Sequence, residues 1–203
     1  MTKKVIILFL ILLTLITGIY PFFMYFLEIN FGIISTKDAS LLTNYFWKFS
    51  FHTHIIFGAI ALMVGWIQFS KIIQIKKKDV HKTIGKVYII SSLISAIASI
   101  FISFHATGGI IPFLGFILLG IIWFYSTFMG YFHIKSEEIE LHQKMMIYSY
   151  ACCFSGVTLR IWLPILLVFI DKFNTAYSIV AWLCWIPNLT VAYIITTNIS
   201  QKD

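Results

Sequence analysis

Six histidines, one arginine and a set of glycines are the residues of this chain whose types and spacing can do chemistry. Residues at i, i+4, i+7 and i+11 share one face of a helix. From His54 that face runs through Gly58, Ala61, Gly65 and Gln68; from His81 it runs through Gly85, Tyr88, Ser92, then Ser95 or Ala96, and Ser99. From His142 it passes Met145 or Met146, Ser149, Cys153, Gly156 and Arg160. Each of these histidines therefore heads a stripe of small or polar residues. Small residues let membrane helices approach closely. A glycine one turn from an imidazole, as Gly58 and Gly85 are, also lets a flat macrocycle lie against the backbone, which is what a haem on a histidine ligand requires. His52 is off the face of His54, so His54 is the expected ligand of that pair.

Arg160 is the other costly residue. A guanidinium inside an apolar stretch stays charged and ordinarily has a partner. No carboxylate lies within any apolar run: Glu28 and Asp171 sit near helix ends, and Asp79, Glu137, Glu138 and Glu140 fall in polar connections. The partner is then expected to be a haem propionate, a quinone oxygen or a lipid phosphate, unless the side chain snorkels to the headgroups or bonds carbonyls freed by Pro164.

The elements that must position these residues follow from composition. The 203 residues are 60% hydrophobic and 11% charged, against roughly half and about a quarter in soluble domains. A span needs roughly 20 apolar residues, and six stretches qualify, at about 4–28, 50–72, 84–104, 111–133, 143–170 and 176–198. No alternating strands are present, and in lipid only helices or closed barrels satisfy the backbone. The expected fold is an all-α polytopic membrane bundle of about six transmembrane helices, forming a single transmembrane domain over 1–203. The first stretch has Lys3 and Lys4 before its apolar run, like a signal peptide, but the run is long and no small-x-small cleavage site follows, so it reads as a retained helix. Cys152, Cys153 and Cys184 all lie inside spans and read as small buried apolar residues.

The net charge of +7 does not point to nucleic acid, because no nucleic-acid motif accompanies it and the lysines collect on one side. Eleven (Lys3, Lys4, Lys71, Lys76, Lys77, Lys78, Lys82, Lys86, Lys135, Lys144 and Lys202) fall on one face, and Lys37, Lys48 and Lys172 on the other. By the positive-inside rule the first face and both termini are cytoplasmic, in a multi-pass protein of the cell (plasma or inner) membrane in contact with its lipids. The loops IKKKDVHK and HIKSEEIELHQK then face inward, and the 29–49 segment and HATGGIIP outward, with STKDASLLTNYFWKF a candidate interfacial helix. His52, His54 and His105 are placed at the outer ends of helices, and His81, His133 and His142 at the inner ends. His81 and His142, at similar depth, are the expected haem-iron ligands, with haem b the expected cofactor. There is no Gly-rich phosphate loop, no HExxH or DxxH spacing and no buried Asp for Ser-His-Asp chemistry.

The succession FHTHIIFGAIALMVGWIQF, a basic loop, HKTIGKVY, HATGG and LHQKMM…GVTLR resembles a family of multi-pass bacterial membrane proteins known only as a domain of unknown function. The resemblance covers about residues 50–165. It implies motif positions at His54, His81, Gly85, Tyr88, His105, His142, Met145 or Met146, and Arg160, a helical membrane fold and no established activity. More loosely, the chain is similar to transmembrane b-type cytochromes, in which histidines on neighbouring helices clamp haems. The departure is that His81 and His105 are 24 residues apart, about 36 Å along a helix, which favours one haem over a two-haem wire. Three functions follow as expectations: a haem- or quinone-linked redox protein with a redox partner, a proton-coupled small-molecule transporter whose histidines titrate near neutrality, or a noncatalytic membrane assembly factor. Broken helices would favour the transporter, and Pro164 and Pro187 are the only hints of breaks.

Overall fold

The computed structural model describes residues 2–26 and 32–200; Glu28 and Lys202, used above, lie outside the described residues. Every regular element among them is helical. In chain order these are α1 (Thr2–Phe26), a 3-10 turn Gly32–Thr36, α2 (Ala39–Thr43), α3 (Tyr45–Gly65) prolonged by a 3-10 turn Trp66–Phe69, and α4 (Lys71–Lys76). There follow α5 (Lys78–Ser103), α6 (Ile110–Lys135), α7 (Ile139–Cys153), α8 (Ser155–Phe169), α9 (Phe173–Leu183) and α10 (Ile186–Ser200). Among the described residues five stretches are long and apolar enough to cross a membrane: Tyr45–Phe69, Lys78–Ser103, Ile110–Lys135, Ile139–Phe169 and Phe173–Ile199. A shorter apolar stretch, Ile7–Phe23, lies within α1.

The burial pattern is inverted relative to a soluble bundle. Leu8, Ile97 and Ile194 are more than half exposed, whereas Ser92, Ser95, Thr127 and Ser149 are fully buried. Lipid accepts apolar side chains without penalty, so association rests on close packing and interhelical hydrogen bonds. The core is accordingly built from small and polar residues around a few large ones: Ala61, Leu62, Tyr88, Ala96, Trp123, Cys152, Cys153 and Val157 meet at the centre of α3, α5, α6, α7 and α8. A second cluster, Tyr177, Val180, Cys184 and Trp185, belongs to α9 and its end. The three cysteines are free and buried, as their apolar surroundings indicated.

Several boundaries differ from the hydropathy reading. Helix α3 starts at Tyr45, because the Asn44 side chain accepts from the Trp47 N–H (3.0 Å) and Trp47 stacks on Phe51 (ring centroids 5.0 Å). His54 therefore lies nine residues inside α3, roughly 14 Å along its axis, and not at a helix end. The basic loop is largely α4 and the start of α5, and the HIKSEEIELHQK loop shrinks to Ser136–Glu138, where Glu137 adopts a φ of 63°. The candidate interfacial helix resolves into the 3-10 turn, α2 and the first turns of α3. Two spans are discontinuous. One breaks at Phe154, ahead of the pair Ser155–Gly156, a Gly/Ser kink; Pro164 sits within α8. The other breaks at Cys184–Trp185, where Pro187 lacks an N–H and its ring excludes the Leu183 carbonyl.

Candidate functional site

The residues singled out by sequence separate into two groups at different depths, with a column of hydroxyls on the helices between them. In the lysine-rich group, His81 lies in the first turn of α5 and His142 in the first turn of α7. His142 is close enough to His81 for charge on one to act on the other, and His133 stands in the same relation to His142. The imidazoles are nevertheless held in different states. His142 Nδ1–H donates to the Gly130 carbonyl (2.7 Å), which leaves Nε2 with its lone pair outward. That is the state a metal ligand needs.

His81 is held in the opposite state by Gln68. The Gln68 NH2 faces the His81 carbonyl (3.2 Å) and its oxygen the Gly85 N–H (3.2 Å); each backbone group has only one role, so they fix the amide. In that orientation the NH2 also donates to His81 Nδ1 (2.8 Å). Neutral His81 then carries its proton on Nε2. His133 Nδ1, in the last turn of α6, meets Glu138 Oε2 in the connection to α7.

A haem on His81 and His142 needs two outward lone pairs and a flat space beside a glycine. His142 meets the first requirement, and His81 does not. A Cβ on Gly85 would lie 3.2 Å from the Gln68 side chain, and one on Gly58 3.0 Å from Ser95 Oγ. The glycine faces are thus filled by neighbouring side chains, in keeping with close helix packing. This arrangement does not fit a bis-histidine haem. Among the described residues there is also no group of three or more His, Cys, Asp or Glu side chains that could hold a metal ion.

The second group sits deeper. His54 Nδ1–H donates to the Ser95 carbonyl (3.1 Å), within reach of Ser95 Oγ (3.0 Å), while that hydroxyl donates to the His54 carbonyl (2.9 Å). This double clasp ties α3 to α5 and leaves His54 Nε2 as an acceptor or base. The ring stands edge-on to Trp123 at 6.4 Å between centroids. Arg160 of α8 is near enough for its charge to act on His54. Its Nη1 donates to the Gly156 carbonyl (2.8 Å), and its guanidinium lies 5.7 Å from the centre of the Tyr20 ring. No carboxylate is within ion-pair distance of Arg160 among the described residues. Among the described residues three buried indole N–H groups lack an acceptor, those of Trp47, Trp66 and Trp123. The first two stand near the ends of α3, and only Trp123 is in mid-helix, beside His54.

Between the groups runs a hydroxyl column that the spacing of single residues did not disclose. Tyr88 OH and Ser149 Oγ are 2.8 Å apart, Ser149 Oγ and Thr127 Oγ1 2.6 Å, and Thr127 Oγ1 donates to the Trp123 carbonyl (2.7 Å). Tyr88 and Ser149 both lay on the predicted stripes; Thr127 did not, since α6 carries no histidine facing it. The column links α5, α6 and α7 at their centre.

These positions fall within a single family match. Residues 51–196 match the model of a family described as a predicted membrane protein, DUF2306. The chain belongs to that family. The match contains both histidine groups, the hydroxyl column and Arg160, and it extends beyond the motif stretch near 50–165 to take in α9 and most of α10; α1, which supplies Tyr20, precedes it. No curated protein and no solved structure matches the chain.

His52 and His105 are not drawn into either group. His52 Nδ1 bonds the Lys48 carbonyl (2.6 Å) one turn back. His105 is exposed past the end of α5, and its carbonyl accepts from Lys37, which also bonds Thr107 Oγ1 (2.9 Å). This contact fastens the segment before α2 to the HATGG turn, where Gly108 and Gly109 take φ values of 99° and 88° that other residues rarely adopt. The Lys37 amine has its pKa lowered by burial, with Asp38 acting in the opposite sense.

Proposed function

We propose that this protein is a quinone-linked membrane redox protein, with the ring of a lipid-soluble quinone received beside Arg160, His54 and Trp123. The observation that carries this reading is Arg160: a guanidinium within the bundle, with one hydrogen bond and one aromatic face but no counter-carboxylate among the described residues. A guanidinium and an indole N–H are donors suited to carbonyl oxygens, and both are costly to leave without acceptors in an apolar setting. Reduction of a quinone to a quinol takes up two electrons and two protons. The electrons come from a partner redox protein. The residues of this chain bear on the protons: His54 Nε2 is free to carry one, and Tyr88, Ser149 and Thr127 line a route toward the lysine-rich histidines.

The test is organic extraction of the protein purified in mild detergent, with quinone measured by ultraviolet absorbance before and after borohydride. Quinone is expected with wild type, several-fold less with Arg160→Met, and an intermediate amount with Arg160→Lys, which keeps the charge but loses the planar fork. Equal recovery from wild type and Arg160→Met, or none from wild type, contradicts the reading. A visible spectrum of the same sample, oxidised and reduced, addresses haem: a Soret band lost in His142→Ala would restore the haem-linked alternative.

A second reading, a proton-coupled carrier, is favoured by a different observation, the two discontinuous spans α7/α8 and α9/α10. Transporter sites are often built where half-helices end inside the membrane. Uptake of a small organic anion into proteoliposomes driven by a pH gradient, abolished in Arg160→Met, would support it over the redox reading.

A further inference from the structure

The connection between α5 and α6 lies at the level of the lipid headgroups. Each of these helices has 26 residues, about 39 Å at 1.5 Å per residue, against a hydrocarbon core of about 30 Å. Their ends therefore reach the polar region, and residues 104–109 turn within it. Two grooves adjoin there. Lys37, Asp38, His105 and Thr107 line one, of about 370 Å³; Phe104, Gly109, Ile110 and Phe113 line the other, of about 320 Å³. Ala106 belongs to both, so a charged groove runs directly into an apolar one.

The charged groove holds two groups of opposite sign with bonding capacity to spare. The Lys37 ammonium donates to the His105 carbonyl and to Thr107 Oγ1 (2.9 Å), both neutral oxygens, and its third hydrogen remains. Asp38 precedes α2, where an aspartate ordinarily accepts from the first turn, but its side chain makes no such cap bond. Neither ion pair among the described residues includes Lys37 or Asp38. Burial works against the charge on Lys37, so contact with an anion would be favoured. The apolar groove is open: a Cβ on Gly109 would meet nothing within 4 Å, and Phe104 and Ile110 are 62% and 63% exposed. The Phe104 and Phe113 rings meet at 5.3 Å between centroids.

We infer that the joined grooves bind one phospholipid whose headgroup carries a primary ammonium, with its phosphate on Lys37, its ammonium on Asp38 and the start of its acyl chains against Phe104, Ile110 and Phe113. A phosphate alone would face the like charge of Asp38, and a cation alone that of Lys37; a zwitterion meets both. A soluble zwitterion would leave the apolar groove unused, whereas acyl chains fill it at the depth where chains begin. None of these residues belongs to the group around Arg160, His54 and Trp123, so the lipid site stands apart from the quinone reading.

The full-length protein, stripped of lipid in detergent, tests this by its melting temperature during titration with short-chain phosphatidylethanolamine or with phosphatidylglycerol of the same chains, which has the phosphate and no amine. Phosphatidylethanolamine is expected to give a saturable rise, half-complete at a concentration about tenfold or more below that of phosphatidylglycerol. Asp38→Asn should abolish that preference, Lys37→Met should weaken both lipids, and Arg160→Met should change neither. Asp38 is exposed, so Asp38→Asn keeps the test open if Lys37→Met, which also unfastens the HATGG turn, does not fold. Equal curves for the two lipids with wild type, a preference that survives in Asp38→Asn, or lipid binding untouched by Lys37→Met would overturn the inference. Free phosphoethanolamine at the same concentrations should give no rise; a rise equal to that with the lipid would overturn the lipid as occupant in favour of a soluble phosphoester.

Discussion

Replacing Ser149 by alanine removes the middle of the hydroxyl column, and the structure sets the size of the effect. Thr127 loses a 2.6 Å contact but keeps its bond to the Trp123 carbonyl, so it stays satisfied. Tyr88 loses its 2.8 Å partner where its side chain is 1% exposed, out of reach of water. A buried hydroxyl left unpaired costs about 1–3 kcal/mol, while interhelical hydrogen bonds in membranes average about 0.6 and reach about 1.7 kcal/mol. Ser149→Ala is therefore expected to destabilise by about 1–2 kcal/mol. Tyr88→Phe leaves Ser149 bonded to Thr127 and should cost less, about 0.5–1 kcal/mol. In the double variant the orphan is removed together with its partner, so the loss falls short of the sum by about 0.6–1.7 kcal/mol. Reversible unfolding in mixed micelles with a denaturing detergent measures all four corners of the cycle. Additivity of the two changes within about 0.3 kcal/mol would refute the coupled column.

Three further outcomes follow from other parts of the bundle. A Cβ at Gly115 would stand 2.8 Å from the Ala181 carbonyl and 3.0 Å from its Cβ; since backbone cannot yield as a side-chain tip can, Gly115→Ala should push α6 from α9 and cost about 1–3 kcal/mol or more in the same unfolding assay. Burial lowers the Lys37 pKa below its ordinary 10.5, so between the two values the unfolded chain binds the proton the folded chain has released. Stability should then rise with pH across that window in wild type relative to Lys37→Met, read from paired alkaline melting curves. Reporter fusions should place the 71–78 and 136–138 segments in the cytoplasm and the 107–109 turn outside, following the lysine distribution; the reverse would exchange the faces assigned to the two histidine groups.

What could be read from sequence was the class of structure and the neighbourhood of its polar residues. Hydropathy is additive along the chain, so an all-helical membrane bundle follows from composition and run length alone. The stripes from His54, His81 and His142 are likewise local, and they brought Ser95, Gln68, Tyr88, Ser149 and Arg160 into view. Helix starts were less legible, because Asn44 caps α3 through one hydrogen bond that hydropathy does not register, and this shift alone moves His54 from a helix end to the interior. The break at Cys184–Trp185 follows from Pro187, whereas the one at Phe154 precedes a Ser-Gly pair in an otherwise uniform apolar run. Asn188 Nδ2 lies 3.2 Å from Thr158 Oγ1; both residues carried a signal in being polar within spans, but their meeting depends on the angle between two broken helices. The purpose of Gly58 and Gly85 also turned on neighbours remote in sequence: Ser95 and Gln68 fill the spaces beside them.

Receipt of a quinone by Arg160, His54 and Trp123 is to be read from the thermal stability of the purified protein titrated with decylubiquinone. A ligand that binds only the folded state stabilises it by about 2.7 kcal/mol at a hundredfold excess over its Kd, a readily measured shift. A saturable rise in melting temperature is expected for wild type, lost in Arg160→Met, reduced in Trp123→Phe and retained in His52→Ala. An equal rise in wild type and Arg160→Met, or none in wild type, would contradict it.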